Sequence, residues 1–496
     1  MSDELIFKDR ILDNVHGFIN YTEAEGKIIN TLLFKRLQSI KQLSLADWVF
    51  PGSEHTRFIH SLGVMYIADK IAIKLELGLE ERKIIRLAGL LHDIGHYPLS
   101  HVCEYPYTHE LKSFPDTTFC SENNDVIKGL IDGIDYIDID EYMKQSSGNH
   151  HEKIGAYIVQ HNKEIREIIE EECGADAPLI IADMITGNVS RDKTDPLYVQ
   201  ILHSELDADG IDYLMRDAMF SGTSFGSFEL EQLIDCMTKR MFNGKNILCI
   251  KPKGIAAADQ YLINKFFSYS QVVYNKHICI TEWMAEQIVN WMQKNDAYFP
   301  QPSVLKEWVK LEKTDDRFID FTDNFFWSSL QSLLKNRLVK TEPYFIRLFC
   351  SNMLRHSELE YIDKSEQKYV LSNYSSIKEQ IKTSDSYKKL NNKNAIGILL
   401  QRKMSKEIKR EEFEECLKQK FSLTEKGESN DSEFDPEDLE NIRMRRFMEC
   451  ICIDEDNNDL HLLCDDERSL MNTMYKIKLV IFRLYDLDIT MPKEML

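Results

Sequence analysis

Three segments hold the residues of this chain that could do chemistry: Arg57-Phe-Ile-His60-Ser-Leu-Gly63, Leu90-Leu-His92-Asp93-Ile-Gly95-His96-Tyr-Pro-Leu-Ser-His101, and Asp207-Ala-Asp209-Gly-Ile-Asp212-Tyr213-Leu-Met-Arg216-Asp217. His60, His92, Asp93 and Asp209 make a mixed nitrogen and oxygen set suited to one divalent ion (Mn, Mg, Fe or Zn) with positions left open for water and substrate. Two neutral imidazoles and two carboxylates leave such a centre formally neutral, which preserves Lewis acidity toward a phosphate oxygen. Any one of these histidines, taken singly, reads as a hydrogen-bonded core residue. Four candidate ligands in register with their surroundings do not, and the expected chemistry is metal-dependent phosphate ester hydrolysis.

Around that set lie further candidates. His96 follows His92 by four residues and His101 comes five later, past a helix stop at Gly95 and a bend at Pro98. Imidazoles lining a cavity beside a metal can act as general acid or base near neutral pH, and Glu104 could orient one of them. The bland reading of His101 and Glu104 is a surface ion pair. Arg57 stands three residues before His60, hence on the same helix face, and could aim its guanidinium at phosphates; its bland reading is likewise a surface pair. Tyr213, Arg216 and Asp217 follow Asp209 by four, seven and eight residues, which places them on the expected metal-facing stripe of a helix.

The elements that must position these residues read as helices. Apolar spacing of three and four predicts helices over 28–46 and 58–77, flanking a turn at Trp48–Gly52, and a more buried helix over 81–95 that stops at Ile94-Gly95. An acidic, weakly patterned stretch over 105–149 precedes a helix opening at His150-His151-Glu152. The Asn243-Gly244 pair inside 240–251 predicts a short hairpin, and helical pattern resumes over 255–295. Beyond 300 the chain is charged and irregular, with an exposed acidic loop at 425–440 and an amphipathic segment at 468–486. The expected fold is mainly all-α: a helical core over 1–300 with one small hairpin, and a mixed, mostly helical C-terminal region over 301–496. With 20 glycines and 12 prolines in 496 residues, the pair falls below the usual share of roughly 12%, which favours long helices over sandwiches.

Composition narrows the partners. The 61 basic and 82 acidic residues give a net charge of −21, so nucleic-acid binding is not expected. No apolar run reaches the 18 or so residues that span a bilayer. Eleven cysteines with no CxxC pair and no signal peptide read as reduced thiols in a cytoplasmic protein.

The ordered motifs Asp13-Asn-Val-His-Gly17, Phe34-Lys-Arg-Leu-Gln-Ser-Ile-Lys-Gln-Leu43, Phe50-Pro-Gly52, His55-Thr-Arg-Phe-Ile-His60-Ser-Leu-Gly63 and Ser204-Glu-Leu-Asp-Ala-Asp209 resemble the deoxynucleoside triphosphate triphosphohydrolases of the HD-domain superfamily, both the bacterial dGTPase-like and the vertebrate SAM-and-HD-domain kinds. The likeness runs from 13 to 277, with no SAM domain expected ahead of it. It implies metal ligation by His60, His92, Asp93 and Asp209. It implies a water-activating group at His96, Glu104 and His151, with His101 the proton donor to the leaving ribose oxygen. His150 and His109 rival His151, because 46 residues separate His151 from Glu104. Gln42, Leu43, Tyr213 and Asp217 fall where that family contacts the sugar, and Arg57 and Lys265 where it contacts phosphates.

Departures from the family pattern are also present. Gly210 stands where the family has a lysine or arginine, Lys265 replaces an arginine, and Asn30, Lys35 and Gln38 replace positions of the vertebrate guanine-specific activator site. The resemblance therefore implies a dNTP substrate, dGTP foremost, a homo-oligomer (dimer or tetramer) and a nucleotide activator that need not be GTP. The biological roles in play are housekeeping and antiphage defence by dNTP depletion. Two other readings compete: a hydrolase of another nucleotide, such as a nucleotidase or an enzyme acting on a signalling nucleotide, and a non-catalytic nucleotide sensor or scaffold.

Overall fold

Arg57–Lys74, helix α2 of the computed structural model, has buried residues on every side: Leu62, Val64, Met65, Ile67, Ala68, Ile71 and Ala72 are all sealed from solvent. A helix buried along most of its surface belongs at the centre of a protein, and α2 sits there. The structure describes residues 4–108, 150–189, 194–295, 298–309 and 315–335. Beyond these it describes 366–370, 395–407, 446–455 and 460–486, with residues 346, 349, 409 and 444.

Ahead of α2, strands β1 (Asp9–Asp13) and β2 (Gly17–Tyr21) form an antiparallel hairpin with Ile11 opposite Ile19. Helix α1 (Glu23–Asn30) opens on a reciprocal cap, the Thr22 hydroxyl accepting from Glu25 N and the Glu25 carboxylate from Thr22 N. The single helix expected over 28–46 is not formed. Thr31 is extended (φ −65°, ψ 151°) and its hydroxyl donates to Ile28 O while accepting from Phe34 N. Its side chain thus ends one helix and caps the next, the competition with backbone bonding expected of threonine. A turn at Leu32–Lys35 and a 3-10 turn at Arg36–Ser39 follow.

Helix α3 (Leu79–Leu91) packs along α2 and stops before His92, earlier than the sequence suggests. Residues 92–100 then run as successive turns into α4 (His101–Thr108). Residues 109–149, including His109, lie outside the described residues. Helix α5 begins at His150, as expected, and runs to His161. Helices α6 (Lys163–Cys173), α7 (Ala177–Thr186) and α8 (Pro196–Leu202) lead to α9 (Ala208–Ser221), which packs on α2 and carries the third motif.

The hairpin forms as strands β3 (Met237–Phe242) and β4 (Lys245–Ile250), with positive φ at both Asn243 and Gly244. Helices α10 (Ile255–Ser268) and α11 (Lys276–Lys294) follow, joined by a π turn at Tyr269–Val273. After α12 (Pro302–Val309) and α13 (Asp323–Lys335) come strands β5 (Glu366–Val370), β6 (Ala395–Lys403), β7 (Cys452–Asp454), β8 (Leu460–Leu462) and β9 (Lys478–Asp486). The described part of segment 468–486 is a helical turn at Met471–Met474 and then β9, which pairs antiparallel with both β5 and β6. The acidic stretch 425–440 is outside the described residues.

The late strands are built into the early core. β7 adds to β4 in parallel at Ile250 and Ile453, making the four-strand order β3-β4-β7-β8. Gln200 of α8 donates to the carbonyls of Phe447 and Met448 and accepts from Leu248 N, while Asp259 of α10 accepts from Ser469 Oγ and Leu470 N.

Candidate active site

Three elements meet at the metal-type set. His60 lies in the first turn of α2, His92 and Asp93 just past the end of α3, and Asp209 in the first turn of α9. His60 Nε2 is 2.9 Å from Asp209 Oδ1, and one ligand-type atom from each of His60, His92 and Asp209 falls within 4.8 Å of the others. Asp93 Oδ2 is 3.5 Å from His92 Nε2 and 3.9 Å from His60 Nε2.

The far nitrogens explain why the near ones converge. His60 Nδ1 meets Asp212 Oδ2 at 2.7 Å, and His92 Nδ1 meets Gly89 O at 2.8 Å, so each ring turns its Nε2 inward. His92 Nε2 is buried and has no hydrogen-bond partner. An orphaned imidazole nitrogen facing two carboxylates is what a metal ligand looks like, and the set fits a divalent ion by donor type and convergence. Burial opposes a charge on His60, but the bonds to Asp209 and Asp212 outweigh it and raise its pKa to about 10. Asp93 is buried too, yet Arg57 and the neighbouring histidines hold its carboxyl well below the usual range.

A second group adjoins the first through Asp93, whose Oδ1 lies 4.0 Å from His96 Nε2. His96 stacks on His151 with ring centres 4.1 Å apart, and His101 stands edge-on to both at 5.0 and 5.3 Å. Glu104 Oε2 meets Nδ1 of both His101 and His151 at 3.0 Å. Burial, aided by the surrounding cations, holds His96 neutral, its pKa well below the usual histidine value. Its Nδ1 accepts the Tyr97 backbone N–H at 3.1 Å, so Nε2 carries the proton, and that nitrogen is buried without a partner.

Of the three rival histidines, His151 is the one brought into this group. His150 instead turns to the Tyr97 hydroxyl at 2.5 Å. Exposure shows which side is open: the His101 side chain is 65% and that of Asp209 38% accessible, whereas His60 and His96 are sealed.

The turn carrying these residues is strained and pinned. Leu99 and Ser100 both adopt left-handed backbone (φ 49° and 52°), at a cost of roughly 1–3 kcal/mol each for residues with a Cβ. Asp323 accepts from Leu99 N at 2.6 Å, and the Ser100 hydroxyl donates to Lys41 O and accepts from Arg57 Nε. Arg36, buried and with its pKa pulled down to about 9 by that burial, donates to the carbonyls of Ile94, His96 and Phe321. Gly95 lets α5 approach, since a Cβ there would lie 2.2 Å from His151 O.

The remaining expected residues divide. Gln42 is buried with an unpartnered Oε1; its N–H donates to His55 O, and His55 Nε2 meets Asp217 Oδ1 at 2.8 Å. Gln42 and Asp217 therefore belong to one patch, with Leu43 adjacent in sequence. Arg57 is close to the site, but Nη1 is 2.8 Å from Asp93 Oδ2 and Nε is on Ser100, so its fork holds Asp93 instead of projecting outward. Lys265 Nζ lies 5.5 Å from the Tyr213 ring centre.

Helix α9 has two polar stripes where one was expected. Asp209, Asp212 and Arg216 share the face toward α2, and Arg216 bridges Asp212 (2.8 Å) to Asp13 (2.7 Å). Tyr213 and Asp217 lie one position further round. The sequence reading passed over Asp13, His16, Arg36, His55 and Asp212 as working residues, though each stands within a quoted motif. His16 Nε2 meets Asp212 Oδ1 at 2.6 Å. Asp212 was discoverable, being three residues from Asp209 and four from Arg216 on a helix.

Comparison with known proteins agrees with this geometry. Residues 57–203 match the family model described as HD domain, so the chain carries an HD domain. Asp209, just beyond the match, is brought to it by α9. An uncharacterized protein of Methanocaldococcus jannaschii is 30% identical over 280 residues, which are 56% of this chain and 49% of the relative, so the match spans about half that protein's length. The Bos taurus protein named deoxynucleoside triphosphate triphosphohydrolase SAMHD1 is 46% identical over 99 residues, 18% of this chain and 17% of its own. A phosphohydrolase structure from Bacteroides thetaiotaomicron shares the fold, with a TM-score of 0.59 and 19% identity over 96% of this chain and 99% of that one. Among the described residues no helix is long and apolar enough to cross a membrane.

Proposed function

We propose that the protein is a metal-dependent deoxynucleoside triphosphate triphosphohydrolase that divides a dNTP into deoxynucleoside and tripolyphosphate, with dGTP the first substrate to test. The observation that carries this reading is the junction at Asp93: one carboxylate joins the set that fits a metal to a group of three imidazoles and Glu104. The similarity to the Bos taurus deoxynucleoside triphosphate triphosphohydrolase supports the substrate class.

His60, His92, Asp93 and Asp209 would hold the ion, which when bound supplies Lewis acidity toward a phosphate oxygen and the attacking water. The chain's own residues do the rest. Gln42 Oε1 and Asp217 offer hydrogen-bond acceptors for sugar hydroxyls, with Leu43 and Tyr213 beside them, which anchors the nucleoside near the ion and leaves the α-phosphate within reach. His96, with its proton on Nε2, donates to a phosphate oxygen or orients water; as a donor it does not remove a proton at neutral pH. Glu104 holds His151 charged, and the two fix the ring on which His96 stacks. His101, exposed and fixed through Nδ1 by Glu104, gives a proton to the departing 5′-oxygen, a poor leaving group that needs a general acid. Stepwise removal of phosphate from the γ end would need no such acid.

The same reading takes residues 1–300 as the catalytic core and 301–496 as a regulatory region. It has a homo-oligomer that binds a nucleotide activator along residues 8–45, and a role in depleting dNTPs during phage infection. The test is incubation with each dNTP and Mn²⁺ or Mg²⁺, with products separated by chromatography. Deoxynucleoside with tripolyphosphate is the expected pair; dNDP or dNMP appearing first overturns the reading.

A further inference from the structure

Arg402 comes from β6, far along the chain, yet its guanidinium carbon lies 3.8 Å over the Tyr269 ring centre. Among the described residues it forms no ion pair. Lys265 Nζ lies 5.5 and 5.3 Å from the ring centres of Tyr213 and Tyr261, and its hydrogen bonds go to neutral groups, Tyr261 Oη at 3.2 Å and Glu205 O at 3.4 Å. Two cations are thus gathered on one set of tyrosines, and among the described residues neither has a carboxylate within ion-pair distance, the buried Asp207 acting on Lys265 only from further off. Withdrawing such charges from water is unfavourable unless an anion completes them.

Their position says which anion. A Cβ on Gly210 would sit 2.4 Å from Tyr261 Oη, 2.7 Å from Asp207 Oδ1 and 3.1 Å from Lys265 Nζ, so the ammonium lies, with the Asp207 carboxylate, beside the residue after Asp209. Where a longer side chain would fill that space, Gly210 cedes it to Lys265. The end of β6 is tied to the same motif: Glu205 Oε1, four residues before Asp209, accepts from Ser405 Oγ at 2.9 Å and Lys406 N at 2.8 Å. Glu407 in turn accepts from Ile451 N and Cys464 N. The strand that brings Arg402 is therefore anchored to the acidic motif itself.

We propose that Arg402 is a polyphosphate-binding residue of the candidate active site, acting beside Lys265 on the end of the chain away from the sugar, so that the C-terminal strand β6 completes the substrate pocket. A planar guanidinium suits two phosphate oxygens at once, and the Tyr269 face holds it without neutralising it. The proposal rests on the triphosphohydrolase reading for its substrate, but not for its probe, which is inorganic tripolyphosphate.

Titration calorimetry on the full-length, metal-loaded protein tests it. Arg402→Gln should weaken tripolyphosphate binding by about tenfold or more, the loss expected for a charge-assisted contact. It should raise KM for the dNTP by a similar factor and leave kcat within about twofold, while Arg402→Lys should recover part of the binding. On the unaltered protein, tripolyphosphate should slow modification of Arg402 by phenylglyoxal, read by peptide mass spectrometry, which needs no variant to fold. Equal binding by wild type and Arg402→Gln, no binding by wild type, or an unchanged modification rate each overturns the proposal. Arg402-dependent binding in a protein that hydrolyses no dNTP would sustain it and sink the triphosphohydrolase reading instead.

Discussion

Glu104 and His151, 47 residues apart, meet through three contacts: His151 N donates to Oε1 at 2.8 Å, and its Nδ1 lies 3.0 Å from both carboxylate oxygens. The two residues open α4 and α5, so one side chain fixes the relative placement of two helices and of the ring on which His96 stacks. Burial opposes the charge on His151, but Glu104 outweighs it and raises the pKa to about 9, while Glu104 itself is held well below the usual carboxylate value.

A pH dependence of stability follows. His151 has its folded pKa raised from 6.5, so its contribution is full below about pH 6.5 and is lost as pH rises through about 9. Glu104 has its folded pKa depressed from 4.5, so its contribution is full above that value and is lost in acid. Glu104→Gln removes one partner of a buried pair and should cost about 3–5 kcal/mol near pH 6. Urea denaturation of both proteins from pH 5 to 9.5 should show the gap closing toward the alkaline end; a gap that stays constant would refute the pairing.

The metal set predicts an asymmetry between neighbours. The His92 side chain is 13% exposed and its Nε2 is unpartnered, whereas Asp93 is paired with Arg57 in the interior. His92→Ala should lose bound metal and turnover with little change in metal-free stability. Asp93→Ala should lose metal as well, and in addition about 3–5 kcal/mol from stranding the Arg57 charge. The double variant should hold no metal and show no turnover while remaining folded. Because the His60 pKa is raised to about 10, metal uptake should release a proton and tighten as pH rises. Metal content by mass spectrometry, beside thermal melts, checks each point; full activity without bound metal would remove the metal assignment.

How much of this was legible in the sequence depends on how local the cause was. The convergence of His60, His92, Asp93 and Asp209 was legible because each sits in a short motif at a helix end, and the hairpin because Asn243-Gly244 dictates its turn. The helix over 28–46 was misjudged because apolar spacing outvoted one hydroxyl, that of Thr31. The network Asp13–Arg216–Asp212–His60 was invisible for another reason: Asp13 and Arg216 are 203 residues apart, and nothing in either segment names the other. Arg402 is the extreme case, since charge and position in an irregular region gave no hint that β6 returns to α9.

His101 should separate catalysis from stability. Its side chain is 65% exposed and, among the described residues, hydrogen-bonds at Nδ1 to Glu104, so little folding energy resides in it. His101→Ala should keep its melting temperature and nucleotide affinity while slowing turnover by roughly 10²–10⁴-fold. A variant with wild-type kcat would take the general-acid role away from His101.

Gly95 and Gly155 give the most local test of how the site is assembled. A Cβ on Gly95 would lie 2.2 Å from His151 O and 2.4 Å from Gly155 N, both backbone atoms of α5 that no side-chain rotation can clear. A Cβ on Gly155 would meet Gly95 N and Ile94 Cγ2 at 3.5 Å, which is ordinary contact. The approach is thus one-sided: the turn must be bare, but the helix need not be. Gly95→Ala must move α5 outward, separating His151 from His96 and Glu104, and should cost about 1–3 kcal/mol, as overpacking a filled interior does. The displacement reaches the imidazole stack, so kcat should fall along with stability. Gly155→Ala should be close to neutral in both. Melting temperatures and turnover of the two variants, measured side by side, decide the matter. If Gly95→Ala proved as mild as Gly155→Ala, the close approach of α5 to the turn would not be what holds the second imidazole group together.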